Sequence, residues 1–460
     1  MTKRAGPVAE PTDRRLQAVL AGRQAAGRLP SVVAGLVRDG QLVWVGSHSA
    51  DGVAESDAAH VQYRIGSITK TFTMVLLMQL RNEGRLDLND RIGDHLPGTG
   101  YADLTLRSVL SHSGGMQAEP SGPWWERSPG VGFEQLVKAN DGSQAPFRPG
   151  ETYHYSNLGY AMIGEVVARL RESSWWECCA TRILAPLGMR RTSYLPEPPA
   201  ATGYSVHHFA GTLTEEPATD TLAMAPAGQL WSTVSDLAAY AVFLIEGHPE
   251  VLPLESLLEA STPQSGSLAG GAAGGYGLGL RLIPGGSGTL VGHTGSMPGF
   301  LATLFVDRVR RTSVVALANA TTGMDTEPLA RELLATLEEC EPTIPEPWRP
   351  ATTVPAPAAA VLGLWHWGNT AYAFEYEPPS TGADGRGEVV VRHVQSGEVS
   401  QRFRVRDDDT LVGGAGYHHG ETLHVRHRAD GSVSHLECAT FVYTGTPYDP
   451  DAPIPGGHPG

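Results

Sequence analysis

Ser67 and Lys70 stand three residues apart in Arg64-Ile65-Gly66-Ser67-Ile68-Thr69-Lys70-Thr71, just ahead of an apolar run from Phe72 to Leu80. On a helix that spacing puts the hydroxyl and the amine on one face. An amine held among apolar side chains is costly to keep charged, so Lys70 is expected to lose its proton well below the reference value of about 10.4. The N–H groups of the first helical turn point towards Ser67 and can stabilise negative charge on a carbonyl oxygen bound there. The chemistry these features suit is acyl transfer, with Ser67 as nucleophile and Lys70 as its activator. Ser-x-x-Lys alone also describes an N-capped helix carrying a snorkelling lysine, so partners elsewhere in the chain must decide.

Acyl transfer also needs a proton donor for the leaving group and donors for the oxyanion. In Tyr153-His154-Tyr155-Ser156-Asn157-Leu158-Gly159-Tyr160, Tyr155 and Asn157 fall in a loop at a helix start, where side chains can be aimed into a cleft. Beside a cationic lysine the Tyr155 phenol would hold its proton loosely and pass it between Ser67 and the leaving group. Asn157 can hydrogen-bond both Lys70 and a substrate amide. His293-Thr294-Gly295-Ser296 reads as a strand edge, with His293 supporting Tyr155 electrostatically. Thr294 and Gly295 would meet the substrate, and the Ser296 N–H would pair with the Ser67 N–H as an oxyanion hole. Trp124 and Trp125, in the Trp-, Pro- and Gly-rich loop 120–132, are candidates for the lining of a substrate groove. His112, in Ser111-His112-Ser113-Gly114-Gly115, reads as a structural histidine bonded to loop backbone. The pairs His207-His208 and His418-His419 and the cysteines Cys178, Cys179, Cys340 and Cys438 show no metal-ligand spacing, so no metal or other cofactor is expected.

Positioning these residues takes a folded scaffold, and the composition allows one: 460 residues, 41% hydrophobic and 18% charged. A net charge of −15 argues against a nucleic-acid binder, since no basic stripe is there to neutralise phosphates. Residues 1–12 read as a leader, Asp13–Arg28 as a helix, and Ser31–Asp39 with Gln41–Gly46 as a hairpin turning at Asp39-Gly40. Helical spacing recurs at Leu104–Ser111, Tyr160–Arg171, Val234–Ile245 and Glu327–Glu339. Tyr276–Ile283, Thr289–Gly292, Phe300–Asp307 and Thr312–Asn319 read as strands, and Ser265–Gly275 as a flexible small-residue stretch. These elements predict helices around an antiparallel sheet over 13–340 and a Pro- and Ala-rich linker over 341–360. Short strands parted by Gly, Asp and Pro turns then predict a small antiparallel β barrel or sandwich over 361–450.

Ser67-Ile68-Thr69-Lys70, Tyr155-Ser156-Asn157 and His293-Thr294-Gly295, in that order, resemble the penicillin-recognising serine hydrolases, nearest the branch of class C β-lactamases and D-alanyl-D-alanine peptidases. The resemblance spans roughly 31–340 and includes Leu106–Met116, Pro149–Gly164 and Gly228–Asp236. It implies an α/β (α+β) sandwich with the site between an all-helical lobe and a five-stranded antiparallel sheet. His293 stands where many relatives carry lysine, and a neutral imidazole binds a substrate carboxylate weakly.

The N-terminus, Met1-Thr2-Lys3-Arg4-Ala5-Gly6-Pro7, opens no apolar run of signal-peptide length, and no stretch reads as a membrane span. The expectation is a cytoplasmic protein with an intracellular acyl donor. Among relatives, the chain looks most like the stand-alone penicillin-binding-protein-type thioesterases of nonribosomal peptide pathways, which carry a lipocalin-like β domain. That likeness implies a linear peptidyl thioester as substrate, a peptidyl carrier protein as partner, a D-residue at the acylating end, and release by head-to-tail cyclisation. A carrier is usually acidic, so its docking would need local basic residues, for which Arg182, Arg190 and Arg191 are candidates. The alternatives are an intracellular D-aminopeptidase, amidase or esterase on the same machinery, and a non-catalytic peptide-binding receptor.

Overall fold

Two neighbouring residues of the first strand, Val32 and Val33, belong to different hydrophobic cores, and that division organises the larger, N-terminal part of the molecule. In the computed structural model, residues 6–50, 57–266, 274–286, 288–344, 348, 350–379 and 385–449 are described. The expected leader as far as residue 5, positions 267–273 of the small-residue stretch, linker positions 345–347 and 349, and positions 380–384 and 450 of the β domain lie outside the described residues. The chain divides into two compact units, Met1–Ile344 and Pro345–Gly460.

In the first unit, Gln41–Ser49, Ser31–Arg38, Thr312–Ala318, Phe300–Asp307 and Gly288–Met297 lie side by side, every neighbouring pair antiparallel. The hairpin turns where expected, with Asp39 (φ 49°) and Gly40 (φ 75°) in the left-handed region and Arg38 paired with Gln41. The sheet does not stop at the five strands the family resemblance implies. Arg281–Gly285, Gly275–Tyr276 and Ser265–Gly266 extend it to eight, so both described ends of the small-residue stretch are strand. Glycines at 266 and 275 let these short strands approach closely: a Cβ on Gly266 would stand 3.0 Å from the Gly274 carbonyl oxygen.

The central strands read as unbroken apolar runs because both faces of the sheet are covered. Val32, Ala34, Leu36, Val314 and Ala316 pack with Leu16 and Leu20 of helix Glu10–Gly27 and with Leu329, Leu333 and Leu337 of helix Thr326–Cys340. The alternate residues Val33, Val315 and Leu317 share a core with Leu76, Ile163, Leu237 and Leu244 of the helical lobe. The first helix starts at Glu10, ahead of the expected Asp13, because Pro11 sits in the first turn, where its missing N–H leaves nothing unpaired. It meets the last helix of the unit through Arg23 and Glu332, 2.6 Å apart.

In the second unit, eight antiparallel strands close into an up-and-down barrel in sequence order, from Gly363–Trp367 to Phe441–Thr444, with His366 pairing Thr444 at closure. Alternate residues such as Phe374, Val389, Val391, Phe403, Leu436 and Tyr443 fill its core. The end of the expected linker belongs to this unit. Ala356–Ala359 is a helical turn, Ala358 and Val361 are buried in the barrel core, and the Trp365 indole N–H donates to the Val361 carbonyl at 2.8 Å. All four cysteines are free thiols, and no helix among the described residues is long and apolar enough to cross a membrane.

Candidate active site

Ser67 lies in a single 3-10 turn, Gly66–Ile68, that runs without a break into the helix Thr69–Asn82. The turn is left-handed at Gly66 (φ 51°), and a Cβ there would fall 2.6 Å from the Ser296 nitrogen. Glycine is therefore required twice, by conformation and by space. Every residue from Thr69 to Leu80 is buried, because this helix passes through the middle of the helical lobe. That is why the lysine one turn after the nucleophile has no route to solvent.

The Lys70 amine has three hydrogen bonds to give and three acceptors around it. It donates to Ser67 Oγ at 2.9 Å, to Asn157 Oδ1 at 2.6 Å and to the Ala227 carbonyl at 2.7 Å. Burial lowers its pKa from the ordinary 10.5 to about 7, with Glu119 and then Glu126 pulling the other way. At neutral pH about half the amine is thus an unprotonated base already bonded to the nucleophile.

Asn157 is the first residue of helix Asn157–Arg171, whose N-cap Ser156 accepts from the Gly159 N–H at 3.1 Å. Tyr155, one residue before the cap, points its phenol at Ser67 as a hydrogen-bond partner, and Lys70 Nζ lies 5.0 Å from the centre of its ring. Burial pushes the Tyr155 phenol well above its ordinary range. The sequence suggests a loosely held proton; enclosure does the opposite, so Tyr155 keeps its proton and is suited to donate it to a departing group while Lys70 takes the base's part.

His112 and His293 flank this tyrosine. The His112 ring, 4.2 Å from that of Tyr155, accepts the Ser156 N–H on Nδ1 at 3.0 Å, and its carbonyl accepts the His154 N–H. That is the structural role expected of it. His293 is buried, with Nε2 2.9 Å from the Tyr276 hydroxyl and Nδ1 2.6 Å from the Thr294 carbonyl. Burial, then the nearby Lys70 charge, lowers its pKa to about 3, so the ring is neutral throughout the working range. The ring centres of His293 and Tyr155 are 6.1 Å apart, so its support of the tyrosine is packing and a dipole, without a full charge.

The strand carrying His293 loses its neighbour at Gly292, which pairs with Arg281, so residues 293–296 form a free edge on that side. This edge lies against the nucleophile turn. A Cβ on Gly295 would fall 1.9 Å from the Ile65 carbonyl oxygen, and the Ser296 backbone abuts Gly66. Ser67 and Ser296 thus adjoin, the placement an oxyanion hole made from their two N–H groups requires.

A cavity of about 460 Å³ opens in front of Ser67, lined by Tyr155, His293, Thr294, Gly295, Ser296 and, unforeseen from sequence, Tyr153 and Arg281. Arg281 pairs with Glu327 at 2.5 Å. Trp124 and Trp125 do not line this cavity. Trp124 is 59% exposed and lies under the Arg127 guanidinium. Trp125 is buried, its indole N–H donating to Glu119 Oε2 at 2.6 Å. The other oxygen of Glu119 accepts from Asn157 Nδ2 at 2.7 Å, so Glu119 is one amide away from Lys70. Neither Glu119 nor the Ala227 carbonyl stood out in sequence. The only hint at Glu119 is its place just beyond the Leu106–Met116 stretch. Of the three arginines suggested for a basic patch, Arg182 shares Glu83 with Arg171, Arg191 is bonded to the Glu197 and Pro199 carbonyls, and Arg190 is exposed.

The fold and this constellation define a serine acyl-transfer site between a helical lobe and an antiparallel sheet, and residues 16–338 match the Beta-lactamase family. The chain belongs to that family, a family of serine hydrolases and acyltransferases. Residues 354–445, the barrel, match a domain of unknown function, DUF7586. Over 260 residues the chain is 27% identical to Beta-lactamase-like protein 2 of Dictyostelium discoideum, which covers 52% of this chain and 46% of that protein. The chain spans about half the length of the curated relatives it matches. Among solved structures, a D-stereospecific amidohydrolase from Streptomyces sp. superposes with a TM-score of 0.59 and 27% identity, over 72% of this chain and 98% of its own. SurE with D-Leu superposes with a TM-score of 0.58 and 23% identity, over 95% and 100%.

Proposed function

We propose that this chain releases a linear peptide from a thioester by closing it head to tail. Ser67 Oγ attacks the thioester carbonyl while neutral Lys70 takes its proton, and the C–S bond breaks as the thiolate collects a proton from Tyr155. The tyrosine recovers that proton from Lys70, which restores the base. The peptide's N-terminal amine then attacks the Ser67 ester, its proton passing to Lys70; the C–Oγ bond breaks as Tyr155 returns a proton to the serine, and Lys70 passes its proton to Tyr155, which restores both groups. The observation that carries the reading is Lys70, buried and bonded to the nucleophile at 2.9 Å, where enclosure lowers its pKa to about 7. Neutral His293 offers no charge to a substrate carboxylate, which suits an uncharged acyl donor such as a thioester. A D-residue at the acylating end is supported by the D-stereospecific amidohydrolase and by SurE with D-Leu among the similar structures. The reading implies a carrier protein as donor and a cytoplasmic setting.

Stereospecific hydrolysis of D-configured amides is the second reading, favoured by the 27% identity to the amidohydrolase. Purified protein given a linear peptidyl thioester with a D-residue at the thioester end should yield macrocycle by mass spectrometry. Linear acid as the sole product assigns hydrolysis instead. Ser67→Ala should abolish either product.

A further inference from the structure

Asn157 bridges Lys70 and Glu119. Its amide oxygen is committed to Lys70 at 2.6 Å and one amide hydrogen to Glu119 at 2.7 Å. Glu119 comes from the loop between helix Leu106–Leu110 and helix Phe133–Ala139 and lies exposed. Both its oxygens are fixed, one by Asn157 and the other by the buried Trp125 indole at 2.6 Å. An ionised carboxylate has about four lone-pair positions, and these two bonds leave about half of them open.

The exposed carboxylate is thus held by two bonds one amide away from Lys70, with acceptor capacity to spare. The charged or titratable groups around Lys70 and Asn157 are Glu119, Glu126, Tyr155, Tyr160, His112 and His293. The two histidines are neutral, the phenols keep their protons, and burial raises the pKa of Glu126, whose carboxylate accepts from the Trp124 indole at 2.8 Å. Once Lys70 is a neutral base, the charge next to Asn157 is negative, and Glu119 is its exposed carrier. A carboxylate so placed attracts a cation with hydrogens to donate and repels anions.

We infer that Glu119 is a specificity-determining residue that binds a primary ammonium group of the substrate beside Asn157. The inference rests on acyl transfer at Ser67 as proposed above, and names what the site recognises there. Two amines fit this chemistry: the N-terminal amine that closes the ring, and the α-amine of a short D-aminoacyl donor. In the first case Glu119 gathers the nucleophile near the ester. In the second it orients the acyl donor.

The test compares two pairs of thioesters, a D-phenylalanyl thioester and a linear peptidyl thioester ending in a D-residue, each with a free amine and N-acetylated. Wild type and Glu119→Gln are assayed for kcat/KM of Ser67 acylation and for the ratio of macrocycle to acid. Glu119→Gln also alters the charge facing Lys70, but that change acts on both members of a pair and cancels in their ratio. A lost charge-assisted hydrogen bond lowers the free-amine to acetylated ratio roughly 10- to 100-fold. A fall for the D-phenylalanyl pair assigns the donor's α-amine. A fall in macrocycle over acid with an unchanged free-amine to acetylated acylation ratio for the long peptide assigns the attacking amine. Equal losses on both members of each pair with no change in macrocycle over acid overturn the inference, as does a wild-type enzyme that shows no preference for free amines, a result that needs no variant to fold. If Ser67 reacts with a fluorophosphonate but with none of the thioesters, the thioester reading has failed, and the same comparison is made with the matching D-phenylalanine p-nitroanilides.

Discussion

Acylation of Ser67 should follow the ionisation of Lys70, and the structure sets where. The amine is wholly enclosed, and its pKa of about 7 instead of 10.5 means that near neutral pH half of it is a free base. A lysine of ordinary pKa would be neutral in only about 3 molecules in 10⁴ at pH 7, so burial contributes roughly 10³-fold in available base. The base must be unprotonated, so activity is lost as pH falls through about 7. The assay is the pseudo-first-order rate of Ser67 labelling by a fluorophosphonate, followed by intact mass between pH 5 and 9. The expected rate rises about tenfold per unit below pH 7 and levels off above it. Stability carries the same signature. The unfolded chain holds this proton up to about pH 10.5 and the folded chain releases it near 7, so stability climbs across that window by at most about 1.4 kcal/mol per pH unit. A flat labelling rate from pH 5.5 to 8.5, or a limb near pH 10, would refute the argument that enclosure makes Lys70 the base.

Ser67→Ala should leave the melting temperature within a few degrees and remove the covalent adduct, read by mass spectrometry. Tyr155→Phe removes the proton donor and should slow turnover of a thioester by roughly 10²- to 10⁴-fold, with the largest effect on poor leaving groups. Gly295→Ala drives a Cβ to 1.9 Å from the Ile65 carbonyl and should cost both stability and labelling. Gly22→Ala, at an exposed helix position with nothing within 4 Å, should instead stabilise by roughly 0.5–1 kcal/mol, as thermal unfolding would show. Because Glu119 raises the Lys70 pKa, Glu119→Gln should move the acidic limb of the labelling profile to lower pH; a shift upward would refute the proximity of that charge.

Much of the site was legible because its chemistry lies in local sequence. Ser67 and Lys70 share a helix face by spacing alone, and Tyr155 and Asn157 bracket a helix cap whose Ser156 announces itself. The Asp39-Gly40 turn and the two-sided apolar strands followed from turn chemistry and periodicity. What escaped depends on contacts between distant segments. The Ala227 carbonyl reaches Lys70 across 157 positions, and a backbone oxygen carries no residue signature. Glu119 looks like any surface acid until Asn157 and Trp125 close on it. Trp124 and Trp125 pointed to a groove by composition, but folding gave one to a guanidinium and buried the other.

By itself, then, the sequence determined which groups can take part: a hydroxyl and an amine one turn apart, a phenol, an amide and a glycine at a strand edge. Only the tertiary structure decided their charges. Enclosure turned Lys70 into a base, kept the Tyr155 proton in place and held His293 neutral. The reason is physical: spacing along a chain is a local property, whereas the cost of a charge depends on everything packed around it, which no single segment encodes.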